Sequence, residues 1–205
     1  VNTTSAQKEI KLCNSGIMIC NSKLLFSNIK KINNNNIKKE KYLPDIFKFF
    51  YDNKKYFTYV KCSQEEMIGI NTIKDLILAE KIYQNYLKKK IIDKGVIIQQ
   101  PESVTVSFDS KVTKGSIIEP FVFLKPGVVI KESVTIKSHS ILEGCIIGNK
   151  SSIGPSARIR PKTKIGNMVK IGNFVEVKNS IIGDKTSISH LSYIGDTNIG
   201  RNTNI

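Results

Sequence analysis

The sequence predicts a chain of two unlike parts, a mixed α/β part followed by a left-handed parallel β-helix, with a long α-helix between them. Three observations support this prediction. An aliphatic residue recurs every six positions in the second half, about the first hundred residues lack this repeat, and an amphipathic stretch separates the two. We place the boundaries at residues 1–72 for the first part, 73–98 for the helix and its linker, and 99–205 for the β-helix.

The six-residue repeat starts at about Val106 and continues to the last residue, with one-residue slips. A period of six fits neither an amphipathic helix nor an alternating strand. It fits a triangular coil of about eighteen residues, whose aliphatic side chains point inward and whose strands pair with the next coil at about 4.8 Å. Hexapeptide coils wind left-handed, an exception to the usual right-handed crossover. The repeated residues are Val106, Val112, Ile118, Leu124, Ile130, Ile136, Leu142, Ile147, Ile153, Ile159, Ile165, Ile171, Val177, Ile182, Ile188, Ile194, Ile199 and Ile205.

The first part and the connector have helix and strand patterns instead. Residues 15–19 indicate a buried strand, residues 56–60 alternate like a strand, and residues 42–51 have helical spacing. From Ile73 to about Ile92, apolar residues recur near the helical period among many lysines. Gly95 is expected to end this helix. We expect its charged face to be solvated, so that the helix is a rigid connector rather than a membrane surface.

The net charge of +15 suggests a nucleic-acid partner, because clustered Lys and Arg bind phosphates. However, the lysines are spread along the chain, and Asn and Ile, whose codons are also AT-rich, are abundant too. We therefore expect no nucleic-acid partner. No apolar run approaches the roughly 20 residues that span a bilayer, and the four cysteines lack CxxC spacing. A cytoplasmic chain with free thiols and no membrane contact is expected.

Polar residues that interrupt the repeat are the candidates for chemistry. The chain has two histidines, His139 and His190, and scattered cysteines, so a zinc site with about three protein ligands is not expected in the β-helix. Arg160 and Lys178 are eighteen residues apart, which should stack the two cations on one face. His190 follows twelve residues later and could accept a proton near neutral pH. These residues alone fit a phosphate site and a solvated basic edge with one satisfied histidine equally well.

Longer motifs surround these residues. They are Ala-Arg-Ile-Arg-Pro-Lys at residues 157–162, Gly-Asn-Phe-Val-Glu-Val-Lys at 172–178, His-Leu-Ser-Tyr-Ile-Gly-Asp at 190–196, Ile-Gly at 199–200 and Asn-Thr-Asn-Ile at 202–205. The set closely resembles the bacterial bifunctional N-acetylglucosamine-1-phosphate uridyltransferase/glucosamine-1-phosphate N-acetyltransferase family. Two departures occur: Lys162 stands where the family has Gly, and Asn179 stands where it has Lys.

The resemblance continues in the first part of the chain. Asn-Ser-Gly-Ile at residues 14–17 is similar to the family's Asn-Thr-Gly-Ile. Residues 34–36 match its Asn-Asn-Asn, and residues 40–45 are similar to its Glu-Tyr-Tyr-Leu-Thr-Asp. Gly-Ile-Asn at residues 69–71 is similar to its Gly-Val-Asn. Lys41 and Pro44 depart from the family's Tyr and Thr. The resemblance implies that residues 1–72 are the C-terminal part of a Rossmann-like nucleotidyltransferase domain, and that residues 99–205 are the N-terminal coils of an acetyltransferase domain.

The resemblance also implies a reaction and its residues. Acetyl-CoA would acetylate glucosamine-1-phosphate, and uridyl transfer from UTP would then give UDP-N-acetylglucosamine for peptidoglycan and outer-membrane lipid synthesis. His190 would be the general base that takes a proton from the glucosamine 2-amine. In the uridyltransferase site, Asn14 and Asn71 would contact UDP-N-acetylglucosamine, and Asn71 would bind Mg²⁺ together with an Asp of the family. The sugar phosphate of the acetyltransferase site would be held by Arg160, Lys178, Tyr193 and Asn204.

Two further expectations come from the resemblance. The protein would be a homotrimer whose acetyl-transfer sites are shared between neighbouring β-helices. The chain would be an internal fragment, with the Gly-rich nucleotide loop and the magnesium-binding Asp before Val1 and the acetyl-CoA-binding coils beyond Ile205, and it would be incomplete for both reactions. Two alternatives stay open: a different sugar-phosphate nucleotidyltransferase with a structural β-helix, and an inactive remnant that only trimerises.

Overall fold

The computed structural model describes residues 9–32, 34 and 39–205 of the chain. The chain divides into two compact units, Val1–Gly69 and Ile70–Ile205. Asn35 and Asn36, which belong to the Asn-rich motif of the sequence, lie outside the described residues. No helix of the described part is long and apolar enough to cross a membrane.

The described residues of the first unit are helical or irregular. Its elements are helix α1 (Ser22–Asn28), the 3₁₀ turns Ile29–Lys31 and Leu43–Asp45, helix α2 (Ile46–Asp52) and the 3₁₀ turn Gln64–Met67. The helix predicted over residues 42–51 is therefore confirmed, with its first turn tightened to a 3₁₀ turn. Ile46 and Phe50 lie four residues apart on one face of α2 and are buried together with Ile32.

Two strands predicted for this unit are wrong. Residues 15–19 are irregular, and Ile17 and Ile19 are 69% and 98% exposed rather than buried. Residues 56–60 are irregular as well, and Val60 is 89% exposed. The Rossmann-like sheet expected for residues 1–72 is not found among the described residues. The physical reason is that a strand needs a hydrogen-bonded neighbour, and the described residues of this unit supply none.

Helix α3 spans Ile73–Ile92, as predicted, and opens the second unit. At its start, Thr72 Oγ1 accepts a hydrogen bond from the Asp75 N–H at 3.2 Å, and the Asp75 carboxylate accepts one from the Thr72 N–H at 2.8 Å. The hydrogen bond from the Thr72 side chain is the main reason that the pKa of Asp75 lies below its ordinary value. At its end, Gly95 adopts a φ of +84° and donates its N–H to the Ile92 carbonyl, which stops the helix.

Short strands follow α3 to the end of the chain. Those in the described residues are β1 (Ile97–Ile98), β2 (Thr105–Val106), β3 (Lys111–Val112), β4 (Ile117–Ile118), β5 (Phe123–Leu124), β6 (Val129–Ile130), β7 (Thr135–Ile136), β8 (Ile141–Leu142), β9 (Ile146–Ile147), β10 (Ser152–Ile153), β11 (Arg158–Ile159), β12 (Lys164–Ile165), β13 (Lys170–Asn173), β14 (Glu176–Lys178), β15 (Ile181–Ile182), β16 (Ser187–His190), β17 (Tyr193–Gly195) and β18 (Asn198–Ile199).

Every third strand pairs in parallel, which gives three sheets of six strands each. The first sheet runs from β1 to β16, the second from β2 to β17 and the third from β3 to β18. The prediction of a parallel β-helix is therefore confirmed. The column starts with β1, a few residues before the repeat becomes visible at Val106, because the 3₁₀ turn Pro101–Ser103 interrupts the six-residue spacing there.

The repeated aliphatic residues form the core of the column. Those from Val106 to Ile188 are all buried, whereas Ile194 and Ile199 near the last coil are partly buried. A second set of small residues lies two positions before them, and from Val104 to Thr186 every member except Ser110 is buried as well. Most of their hydroxyl groups are paired: Ser151 Oγ, for example, donates to the Gly166 carbonyl at 2.9 Å and accepts from the Val169 N–H at 3.0 Å. Among the described residues, the Ser110 Oγ atom is buried and has no hydrogen-bond partner. Polar small residues are therefore tolerated inside the column.

The slips in the repeat coincide with one corner of the column. The spacing shortens by one residue after Leu142, after Val177 and after Ile194, and each time this occurs between the second and the third sheet. Pairing continues across the slips, since Ile147 pairs with Ile165 and Ile165 with Ile182. The corner absorbs the missing residue, and the inward side chains stay stacked.

Helix α3 covers an open edge of the first coil. The Gln84 amide donates to the Val106 carbonyl at 3.0 Å and accepts from the Val106 N–H at 3.0 Å, so it replaces a neighbouring strand at the edge of β2. One turn later, the buried Lys88 Nζ donates to the carbonyls of Pro101 and Val104 at 2.6 and 3.3 Å. Burial lowers the pKa of Lys88. These contacts protect an edge that could otherwise pair with another chain.

Replacing Gln84 with Ala is expected to destabilise the second unit by about 1–3 kcal/mol, because both backbone groups of Val106 lose their partner. The free energy of unfolding, measured by urea denaturation, tests this. The matched control is Asn85→Ala on the exposed neighbouring position of α3, for which the free energy should change by less than about 0.5 kcal/mol. Equal changes for the two variants would contradict a capping role for Gln84.

Candidate functional site

The two cations predicted to stack do so on the second sheet. Arg158 pairs with Glu176, and the Arg160 N–H donates to the Val177 carbonyl at 2.8 Å, which places Arg160 one coil before Lys178. Lys178 in turn pairs with Gly195 of the next coil. The eighteen-residue spacing is what makes the two side chains neighbours, because successive coils repeat the same position on the same face. The predicted juxtaposition of Arg160 and Lys178 is confirmed.

Both cations also have acidic partners that the sequence analysis did not single out. Arg160 Nη1 lies 2.9 Å from Glu176 Oε1, and Lys178 Nζ lies 3.4 Å from Asp196 Oδ2. All four side chains are about a third to more than half exposed, so these pairs contribute little to stability and serve mainly to orient the cations. The signal was present in the motifs, because Glu176 precedes Lys178 by two residues on a strand and shares its face.

A small hydrogen-bonded cluster holds the second of these acids. Asn179 Nδ2 donates to Asp196 Oδ1 at 2.7 Å, and the Asp196 N–H donates to the Lys178 carbonyl at 3.0 Å. The hydrogen bond from Asn179 is the largest cause of the lowered pKa of Asp196, followed by the hydrogen bond and charge of Lys178 and by the charge of Arg160. Asn179 is the residue at which the motif departs from the family, and here it anchors the carboxylate beside Lys178.

The cations keep donors for a further anion. A guanidinium has five N–H donors and an ammonium has three, whereas the contacts to Glu176 and Asp196 each use one nitrogen position. Arg158, on the same sheet, is exposed and adds a further positive charge. A phosphate group presented to this face would therefore meet oriented cations with free donors, which favours charge-assisted hydrogen bonds to an anion.

His190 and Asn204 lie on the first sheet, adjacent to this face. His190 ends β16, is exposed, and pairs with Asn173 of the preceding coil. A two-residue corner then leads to Tyr193 on the second sheet, and the His190 carbonyl accepts a hydrogen bond from Ser192 Oγ at 2.9 Å within it. Asn204 bridges in parallel to Ser187, so it lies one coil after the start of β16. The column thus brings Asn204 and His190 onto one sheet, and the cations and Tyr193 onto the next.

The residues predicted for uridyl transfer belong to different units of the chain. Asn14 belongs to the first unit, where its side-chain oxygen accepts from the Gly16 N–H at 2.9 Å, and Asn71 belongs to the second. The Asn71 N–H donates to Asp75 Oδ2 at 3.1 Å, and that carboxylate is already engaged by Thr72. The described residues contain no group of three or more His, Cys, Asp or Glu residues that could hold a metal. By themselves they do not supply the set of oxygen ligands that a Mg²⁺ site around Asn71 would need.

Comparison with known sequences confirms the resemblance over the whole chain. The chain is 40% identical over 204 residues to the bifunctional protein GlmU of Bartonella bacilliformis. The alignment covers 100% of this chain and 45% of that protein. It is 42% identical over 194 residues to the GlmU of Wolbachia pipientis, with 95% of this chain and 45% of the relative covered. The chain thus spans about 45% of the length of these curated relatives. A family model for the GMPPB C-terminal domain also matches residues 145–205.

Solved structures are similar at a lower level. The acetyltransferase domain of PglB from Neisseria gonorrhoeae, solved with acetyl coenzyme A, is 18% identical and aligns over 58% of this chain and 65% of its own, with a TM-score of 0.44. PerB from Caulobacter crescentus, solved with CoA and GDP-perosamine, is 17% identical and aligns over 62% of this chain and 57% of its own, with a TM-score of 0.30.

Replacing Asn179 with Ala is expected to raise the pKa of Asp196 toward its ordinary value, because the variant removes the hydrogen bond that lowers it most. A pH titration of the side-chain carboxyl ¹³C resonances measures this. Asp184 is the internal control: its pKa is lowered mainly by hydrogen bonds from Asn167 and should not move. An unchanged titration of Asp196 would show that Asn179 does not anchor its carboxylate.

Proposed function

We propose that the second unit carries the sugar-phosphate side of an acetyltransferase site, which acetylates the 2-amine of glucosamine-1-phosphate with acetyl-CoA as co-substrate. The observation that supports this proposal is that Arg160 and Lys178 stack on successive coils of the second sheet. His190 ends β16 on the first sheet, two residues before β17 of the second sheet begins. The homology to GlmU proteins over the whole chain supports it. Because the chain spans less than half of those proteins, the activity of the complete protein is part of the proposal.

In this reaction the sugar phosphate is bound first. Arg160 and Lys178 contact its phosphate with the donors that Glu176 and Asp196 leave free, and Tyr193 and Asn204 contact the sugar. Orientation of the amine toward the thioester then supplies much of the acceleration, because a fixed approach replaces a random encounter. The exposed position of His190 at the corner leaves its imidazole accessible to a sugar bound on the neighbouring sheet.

His190 acts as the general base. A protonated amine is not a nucleophile, and a neutral imidazole accepts its proton near neutral pH. The amine nitrogen forms a bond to the thioester carbonyl carbon, the carbon–sulfur bond breaks, and the CoA thiolate leaves and takes up a proton. The products are N-acetylglucosamine-1-phosphate and CoA. His190 contributes proton transfer, and the cations contribute position.

The complete protein is proposed to be a trimer in which neighbouring β-helices share each acetyl-transfer site. Its second activity, uridyl transfer from UTP with Mg²⁺, is proposed from the resemblance alone. The described residues contribute Asn14 and Asn71 to that activity, and its remaining groups must come from elsewhere in the protein. Two alternatives, a purely structural β-helix and an inactive remnant, predict that substitutions at His190 and Lys178 leave every activity unchanged.

Replacing His190 with Ala in the full-length gene product is expected to lower kcat for acetyl transfer by about 10²- to 10⁴-fold, which is the usual contribution of a general base. Uridyl transfer should be unchanged. Acetyl transfer is followed as CoA release from acetyl-CoA with glucosamine-1-phosphate.

The chain offers a matched control for this variant in its other histidine. His139 stacks on Phe121 with ring centroids 5.0 Å apart, on earlier coils of the column. His139→Ala should therefore leave both activities intact. Equal loss of acetyl and uridyl transfer in His190→Ala, or equal effects of the two histidine variants, would contradict the proposed role of His190.

A further inference from the structure

Tyr193 and Gly195 lie two residues apart on β17 and therefore face the same side of the second sheet. A Cβ atom built on Gly195 would lie 2.6 Å from Tyr193 Oη, 2.7 Å from Cε1 and 2.8 Å from Cζ. Real Cβ atoms essentially never have contacts below 3.0 Å. The phenol of Tyr193 therefore lies along the strand, in the space that any side chain at residue 195 would occupy.

This space lies beside the proposed phosphate-binding cations. Gly195 pairs in register with Lys178, and Lys178 follows Arg160 by one coil on the same sheet. The position equivalent to Arg160 and Lys178 in the last coil thus has no side chain of its own. The phenol of Tyr193 fills it instead, so a hydroxyl group takes the place where a third long side chain would stand.

We infer that Gly195 is a positioning residue for the sugar-phosphate site: it keeps the Tyr193 phenol flat on the sheet beside Lys178. The inference rests on the proposed function for its ligand, glucosamine-1-phosphate, and on the geometry of β17 for its mechanism. This inference explains why Gly195 follows Tyr193 by two residues in the motif at residues 190–196. It gives Gly195 a role although the residue touches no substrate.

Gly195 differs from other glycines of the column. A Cβ on Gly172 would collide with the backbone carbonyl of Ser189, and one on Gly183 would lie 2.5 Å from the Arg201 nitrogen, so these two glycines are required by the packing of one coil on the next. The obstacle at Gly195 is the far end of one flexible side chain. Its φ also lies outside the left-handed region, so Ala can adopt the same backbone. Gly195→Ala should therefore move the phenol and leave the coil intact.

The test compares Gly195→Ala, Tyr193→Ala and the double variant in the full-length gene product, as for the His190 variant. The dissociation constant for glucosamine-1-phosphate is measured by calorimetry, and the Tyr193 ring position by crystallography. We expect Gly195→Ala to displace the ring, to preserve the thermal unfolding midpoint within about 2 °C, and to weaken binding about five- to tenfold, the effect of one lost hydrogen bond. The double variant should bind no more weakly than Tyr193→Ala.

The control is Gly200→Ala, where a Cβ would meet its nearest neighbour, Thr203 Oγ1, at 4.0 Å. This variant should bind glucosamine-1-phosphate as the parent chain does. An unmoved Tyr193 ring in Gly195→Ala, or independent losses that add up in the double variant, would overturn the inference. Failure of the parent chain to bind glucosamine-1-phosphate would instead overturn the proposed function, and the ring position would still decide the structural role of Gly195.

Discussion

The second unit depends on one constraint: each coil must place its inward aliphatic residue directly over that of the coil before it. The parallel hydrogen bonds between successive strands enforce this stacking, and the buried column from Val106 to Ile188 is its result. Burial of such side chains is worth about 1.5–3 kcal/mol each, so the stacking contributes much of the hydrophobic stabilisation of the unit. One-residue slips are tolerated because they fall at a corner, where the backbone can shorten without moving an inward residue.

The same constraint creates the candidate site. Because positions repeat from coil to coil, residues far apart in the sequence become neighbours on a face, as Arg160 and Lys178 do. The stacking also brings Glu176 beside Arg160 and Asp196 beside Lys178. Each of the two cations is therefore paired with a carboxylate. An exposed pair adds little stability. Each pair instead holds a long side chain in one direction, which the proposed sugar-phosphate site would need.

The ends of the column show how the unit handles unpaired backbone groups. At the start, the Gln84 side chain replaces a strand at the edge of β2, and Lys88 binds carbonyls that no strand covers. At the other end, Ile194 and Ile199 are less buried than the residues of the middle coils. Helix α3 leads into the column and also caps its first coil. This second role explains why α3 carries a glutamine and a lysine on its buried side, where an amphipathic helix usually has apolar residues.

The sequence alone was enough to predict the β-helix, because a six-residue aliphatic period sustained over about a hundred residues is compatible with few other packings. It also determined the extent of α3, from its helical period and its glycine stop. Local patterns failed at residues 15–19 and 56–60, because a strand depends on a partner that the pattern does not contain. Three features became visible only in the folded chain: Glu176 and Asp196 orient the cations, Gln84 caps the first coil, and the Tyr193 phenol occupies the space above Gly195. Each of these depends on which residues of different coils, or of one strand, meet in space, and a linear repeat specifies the face on which a side chain lies but not what it touches there.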